Sequence, residues 1–223
     1  MERSISRRTF FKKAGITAGV LVLAGASGAG AVKYAVTEPE IIFPRQKYQK
    51  DDGMSKILVT YASKCGSTGE VAVAIAEELR KSNFPVDVLP VDDVNSLDPY
   101  SAVILGTALR FEKPLNEMMD FINKFNQVLP QKKIACFSAG VYMRDPTTQN
   151  RTKTEKMLEP MMTALPKPVS MAMFGGKVDY KKIAPFWRFL VSMDSSGLMS
   201  EGDGRNWEMI RSWARELSKE ISD

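Results

Sequence analysis

The chain has 223 residues, 44% hydrophobic and 26% charged, enough for one globular domain with a full core and additional segments. It holds no histidine and only two cysteines, Cys65 and Cys136, which excludes Ser-His and Cys-His dyads, imidazole or thiolate metal sites and Cys-x-x-Cys redox chemistry. Of the formal charge of +5, +4 sits at the N-terminus, where Arg3, Arg7, Arg8, Lys12 and Lys13 face only Glu2; the rest of the chain carries +1, and no nucleic-acid partner is implied.

Ser6-Arg7-Arg8-Thr9-Phe10-Phe11-Lys12 closely matches the twin-arginine export consensus, and a weakly apolar, Gly/Ala-rich run from Ala14 to Val32 follows. Glycines at 15, 19, 25, 28 and 30 argue against a core helix, because each costs about 1 kcal/mol in a helix interior. Residues 1–32 are therefore expected to be a twin-arginine signal peptide, with Ala29-Gly30-Ala31 or Ala24-Gly25-Ala26 as the cleavage site. Left uncleaved, the run would serve as an anchor, since its 19 residues just span a bilayer. The expected location is periplasmic, or extracytoplasmic and membrane-associated. Residues 33–55, with Pro39, Pro44 and mixed charge, read as a linker.

From Lys56 the chain alternates strand and helix. Ile57–Tyr61 reads as a buried strand and Thr68–Lys81 as an Ala-rich helix; Val86–Pro90 is a second strand and Asp93–Asp98 a connection. Ala102–Gly106 is a third strand, and Leu115–Asn126 a helix with Leu115, Met118, Met119, Ile122 and Phe125 on one face. Lys133–Ser138, Thr154–Ala164, Val169–Phe174 and Trp207–Ile221 complete the series as strand, helix, strand, helix. The pattern predicts an α/β three-layer sandwich around a five-stranded parallel sheet with right-handed crossovers. The expected order is 2-1-3-4-5, with a ligand at the carboxyl ends of strands one, three and four. Cys65 and Cys136 would then lie too far apart to pair and should remain free thiols.

Between the first strand and its helix runs Ser63-Lys64-Cys65-Gly66-Ser67-Thr68-Gly69. A strand that opens through small, hydroxyl-bearing residues straight into a helix is a phosphate cradle: loop and first-turn N–H groups converge, and the helix dipole favours an anion. The loop is neither a Walker A motif nor a Gly-x-Gly-x-x-Gly fingerprint. The topology demands ligand-type residues at two more places. Strand three ends Thr107-Ala108-Leu109-Arg110-Phe111, and strand four ends Ser138-Ala139-Gly140-Val141-Tyr142. Small residues there allow backbone contact with a ring edge, and Phe111 or Tyr142 can stack on its face.

The spacing Val59, Thr60, Tyr61, Ser63, Gly66, Thr68, Ala72, Ile75 resembles the flavodoxin signature, with Thr60 in place of an apolar residue. The resemblance implies FMN, with its phosphate on Ser63, Lys64, Cys65, Gly66, Ser67 and Thr68 and its ring beside the residues that end strands three and four. No metal is implied. The downstream half, about 55 to the C-terminus, resembles more particularly the menaquinone-dependent protoporphyrinogen dehydrogenase family. It does so through Gly106–Phe111, Phe174-Gly175-Gly176-Lys177, an aromatic-basic insertion at about 177–200, and Asp203 and Trp207 before the last helix. That resemblance implies an FMN oxidoreductase passing electrons between an organic substrate and a quinone. The chemistry would lie on FMN, with no catalytic side chain; Arg110 would steady negative charge on the cofactor or substrate. In the insertion, Tyr180, Ile183, Phe186, Trp187, Phe189 and Leu190 form an apolar set flanked by Lys177, Lys181, Lys182 and Arg188, which suits a membrane interface, a quinone or a porphyrin with carboxylates, and equally a helix packed on the domain core. Two alternatives stay open: an exported flavodoxin-type electron carrier, and a flavin-less scaffold that binds a partner.

Overall fold

β1 (Lys56–Ala62) is a run of apolar and β-branched residues, and all but Lys56 are buried because helices cover both faces of the sheet. It lies between β2 (Val86–Pro90) and β3 (Tyr100–Arg110), both parallel to it; β5 (Lys133–Gly140) and β6 (Ser170–Gly175) continue the parallel sheet beyond β3. The order is β2-β1-β3-β5-β6, the expected 2-1-3-4-5 path. The structure, a computed structural model, describes residues 37, 39–48, 56–193 and 197–222. The twin-arginine leader expected at residues 1–32 lies outside the described residues.

α1 (Ser67–Lys81) and α5 (Trp207–Ser222) cover one face of the sheet. Val71, Ala72, Ile75 and Leu79 of α1 and Ile210, Ala214 and Leu217 of α5 pack there with Val59, Tyr61, Phe137 and Phe174. α2 (Asn116–Lys124) and α3 (Thr148–Ala164) cover the other, where Met118, Phe121, Ile122, Leu158 and Met161 meet Leu58, Val103, Leu105 and Cys136. Each strand thus feeds two cores by its alternation of side chains.

Three elements differ from the sequence reading. β3 does not stop at Gly106. Thr107 and Ala108 stay paired with β5, and Leu109 and Arg110 fold back on β4 (Lys113–Pro114) as an antiparallel hairpin. α3 starts at Thr148 rather than Thr154, because the Thr147 hydroxyl caps it by accepting from the Asn150 N–H at 3.2 Å. Of the stretch read as a linker, residues 41–48 belong to the domain. Phe43 packs on the core, the Tyr61 hydroxyl donates to the Pro44 carbonyl at 2.8 Å, and Gln46 and Val88 exchange backbone hydrogen bonds at the β2 edge. A domain that starts at residue 49 is therefore expected to be about 2 kcal/mol less stable than one that starts at residue 37, as read by urea denaturation.

The chain divides into two units: residues 41–178 with 201–223 form this α/β domain, and the described residues of 179–200 fall in the other. In that segment α4 (Pro185–Ser192) follows a 3₁₀ turn at Tyr180–Lys182. β7 (Lys177–Val178) and β8 (Gly202–Asp203), which bracket the segment in the chain, pair antiparallel within the domain. Among the described residues no helix is long and apolar enough to cross a membrane.

Candidate functional site

The register of the sheet sets the site. Ala62 of β1 pairs with Thr107 of β3, and Thr107 and Ala108 pair with Ser138 and Ala139 of β5. The three segments singled out by sequence therefore end side by side at the carboxyl edge of the sheet.

The loop after β1 is shaped by its own residues. The Ser63 hydroxyl accepts from the Gly66 N–H at 3.0 Å, and Gly66 turns the chain into α1 with φ 81°, a left-handed conformation that favours glycine. α1 can sit low on the sheet because residue 69 is glycine: a Cβ there would lie 2.7 Å from the Tyr61 ring. The N–H groups of the first turn, Ser67, Thr68 and Gly69, have no acceptor within the helix. The Thr68 hydroxyl beside them is fully buried and has no hydrogen-bond partner, and the same holds for Ser138 at the end of β5. Buried hydroxyls are normally paired, so the cradle is short of an acceptor, and a phosphate supplies one.

Lys64 turns toward α2 and pairs with Glu117. Burial works against the Glu117 charge, but Lys64 and the nearby Arg110 outweigh it and hold the carboxyl below the usual carboxylate range. Lys64 and Arg110 thus share one acidic neighbour between the phosphate loop and the end of β3. Cys65 and Cys136 form no disulfide; burial pushes the Cys136 thiol up to about 12, which leaves it unreactive.

The β3–β4 hairpin places the next group. Its two turn residues, Phe111 and Glu112, both have positive φ, 51° and 60°. This is the conformation of a two-residue primed turn, normally filled by Asn and Gly; side chains with a Cβ cost about 1 kcal/mol each there. The Thr107 hydroxyl is spent on holding the hairpin: it donates to the Ala108 carbonyl and accepts from the Leu115 N–H at 3.3 Å. Leu109 packs over Gly140, where a Cβ would come within 3.3 Å of it. At the tip Phe111 stands half exposed beneath the Arg110 guanidinium, 5.2 Å from its ring centre. Glu112 reaches Lys153 of α3 at 3.4 Å, and Lys153 donates to the Tyr142 hydroxyl at 2.7 Å while lying 4.0 Å over the Tyr142 ring. Replacing Phe111 with glycine is expected to stabilise the domain by about 1 kcal/mol in a urea titration, because the strained turn relaxes.

On the far side of the site, Gly140 was expected from the sequence, whereas Gly204 and Arg205 were not read as site residues. Gly140, Gly176 and Gly204 are joined by backbone hydrogen bonds, Gly176 N–H to the Gly140 carbonyl at 3.0 Å and Gly204 N–H to the Gly176 carbonyl at 3.1 Å. Arg205 follows and reaches Glu70 in the first turn of α1. The signal was Gly-Asp-Gly-Arg-Asn-Trp at 202–207, a turn-rich run with one cation.

Compared with known families, residues 58–203 match the flavodoxin domain. The chain belongs to the flavodoxin domain family. The flavodoxin domain takes FMN, and the open first turn of α1 with its unpaired Thr68 hydroxyl fits the phosphate of that cofactor. Among curated proteins the chain is similar to the protoporphyrinogen IX dehydrogenase [quinone] of Escherichia coli K12, 24% identical over 174 residues, which cover 73% of this chain and 94% of that protein. It is also similar to a probable flavodoxin 1 of Bacillus subtilis, 33% identical over 93 residues, or 40% of this chain and 59% of that one. A third relative is an NAD(P)H dehydrogenase (quinone) of Methylocella silvestris, 28% identical over 93 residues, or 32% of this chain and 47% of that one. These relatives place the flavodoxin domain among FMN-type oxidoreductases and electron carriers.

Proposed function

We propose that this protein is an exported FMN oxidoreductase that passes electrons between a reduced organic substrate and a quinone. The observation that carries the reading is the extent of likeness to the protoporphyrinogen IX dehydrogenase, which runs through 94% of that protein's length rather than the phosphate loop alone. Bound FMN would supply the redox chemistry, and the protein the placement and electrostatics. Thr68, Ser67, Gly66 and Ser63 would hold the phosphate. Ala108, Leu109, Ser138, Ala139 and Gly140 would offer backbone to the ring edge, and Phe111 or Tyr142 would supply an aromatic face. Arg110 and Lys64, with Glu117 between them, set the charge beside it. The twin-arginine motif at Arg7-Arg8 supports an activity outside the cytoplasm, where a membrane quinone would be within reach.

The 179–200 segment is the proposed contact with the membrane. Phe189 and Met193 are about half exposed, and Phe186 and Trp187 meet edge to face with ring centres 5.3 Å apart. Leu190, expected in the same apolar surface, is instead buried, because helical spacing turns it away from Phe189. The Tyr180 hydroxyl donates to the Met199 carbonyl, leaving its ring half-buried.

The test is a purified protein loaded with FMN and assayed with protoporphyrinogen IX and a soluble menaquinone analogue. Substrate oxidation that depends on both FMN and the quinone supports the reading. A flavin-loaded protein that exchanges electrons with protein partners but turns over no quinone would make it a carrier, as its likeness to a flavodoxin suggests.

A further inference from the structure

Arg205 lies outside the three segments that form the cofactor edge, yet its side chain is only 3% exposed and every contact it makes leads to the phosphate loop or anchors it for that reach. Its Nε and Nη2 donate to the two Asp203 oxygens at 2.8 and 2.6 Å, a bidentate pair that fixes the guanidinium plane. Its Nη1 donates to Glu70 Oε2 at 2.6 Å and to the Ser67 carbonyl at 3.3 Å. The guanidinium stacks on Trp207, 4.4 Å from the ring centre. Burial works against the Arg205 charge, but the two carboxylates outweigh it and push its pKa up; the Asp203 carboxyl, bonded to Arg205, is held below the usual carboxylate range.

We propose that Arg205 is a positioning residue for the FMN phosphate, clamping the first turn of α1 in the geometry that receives it. The Ser67 carbonyl and the Thr68 N–H belong to one trans peptide plane and point in opposite directions. Arg205 pins the carbonyl from outside the loop, so the Thr68 N–H is aimed into it. Arg205 also draws Glu70 sideways. Glu70 sits in the first turn, where an unrestrained carboxylate would compete with a phosphate for the helix N-terminus. The clamp acts through geometry: with Asp203 and Glu70 paired to it, Arg205 adds no net positive charge to the site.

The proposal rests on the FMN assignment of the loop, and the test separates the two. FMN is titrated into the full-length apoprotein, with inorganic phosphate as competitor, for the wild type, Arg205→Lys and Glu70→Ala. Lysine keeps the charge but cannot bridge Asp203, Glu70 and the Ser67 carbonyl. Arg205→Lys is expected to weaken FMN about tenfold and to weaken phosphate competition in parallel, since the loss lies in the phosphate subsite. Glu70→Ala, on the surface of α1, keeps the fold if Arg205→Lys does not. In about 0.5 M salt, where exposed charges are screened, it is expected to weaken FMN about threefold. An effect through charge alone would leave Arg205→Lys unchanged and make Glu70→Ala bind tighter. Either result, with a wild type that binds FMN, overturns the clamp. A wild type that takes up no FMN overturns the cofactor assignment, and the clamp falls with it.

Discussion

Replacing Thr68 with valine is expected to weaken FMN binding by about ten- to a hundredfold while leaving the apoprotein as stable as before or more so. The two effects have opposite signs because the hydroxyl has no partner in the protein. Thr68 is fully buried, and its Oγ1 is one of three buried side-chain oxygens without a hydrogen bond among the described residues. Valine has the same shape and removes the unpaired group, so folding loses nothing and escapes a desolvation cost of about 1–3 kcal/mol. Binding loses a hydrogen bond to a charged phosphate, among the stronger kinds. Thr60 supplies the control. Its hydroxyl is equally buried and unpaired, but it lies in mid-strand, opposite Leu89 of β2 and Leu105 of β3 and away from the loop. Thr60→Val should likewise raise stability and leave FMN affinity where it was. Urea titrations and flavin fluorescence measure both. If Thr68→Val bound FMN as tightly as the wild type, the phosphate would not lie at the first turn of α1.

The central path of the sheet was readable because most of its strands contain a short apolar run closed by turn residues, as a parallel sheet buried on both faces requires, while β2 shows as a short alternating run. The phosphate loop was readable for a related reason: small residues between a strand and a helix leave few other backbone conformations. The hairpin was not readable. Phe111-Glu112 carries none of the Asn, Asp or Gly that marks a two-residue turn, and the conformation is imposed by pairing on both sides and by the Thr107 hydroxyl. The first six residues of α3 were missed because Thr-Gln-Asn-Arg-Thr-Lys has no apolar period; only the cap at Thr147 marks the start. The ordered stretch at 41–48 has the composition of a linker, and its order comes from partners far along the chain, Tyr61 and Val88. Arg205 was passed over for the same reason. A lone arginine in a polar run reads as a surface charge, and only the fold brings it to Glu70, more than a hundred residues earlier.

Gly175→Ala should be among the most damaging single methyl groups in the domain. A Cβ at Gly175 would overlap the Gly204 carbonyl oxygen, lie 2.9 Å from the Gly204 carbonyl carbon and 3.2 Å from the Met143 carbonyl oxygen. All three are backbone atoms, so no side chain can swing away, and relief requires moving the 202–205 strand exit. That segment is tied on both sides, by the Gly204 N–H to the Gly176 carbonyl and by Arg205 to α1. The expected cost is about 2–4 kcal/mol of stability, together with a loss of FMN affinity that persists where the variant is still folded. Gly106→Ala separates the two effects. A Cβ at Gly106 would overlap the Phe137 ring, which is buried and wedged edge-on against Trp213 with ring centres 6.3 Å apart. It too should destabilise the domain by a few kcal/mol, about 2–4. The strain there is taken up in the core beneath α5, so its FMN affinity per folded molecule should stay near that of the wild type. Measured together, the pair distinguishes a clash that weakens the domain from one that also unhooks Arg205. Equal affinity losses in both variants would mean that the phosphate loop follows the stability of the whole domain rather than the 202–205 segment.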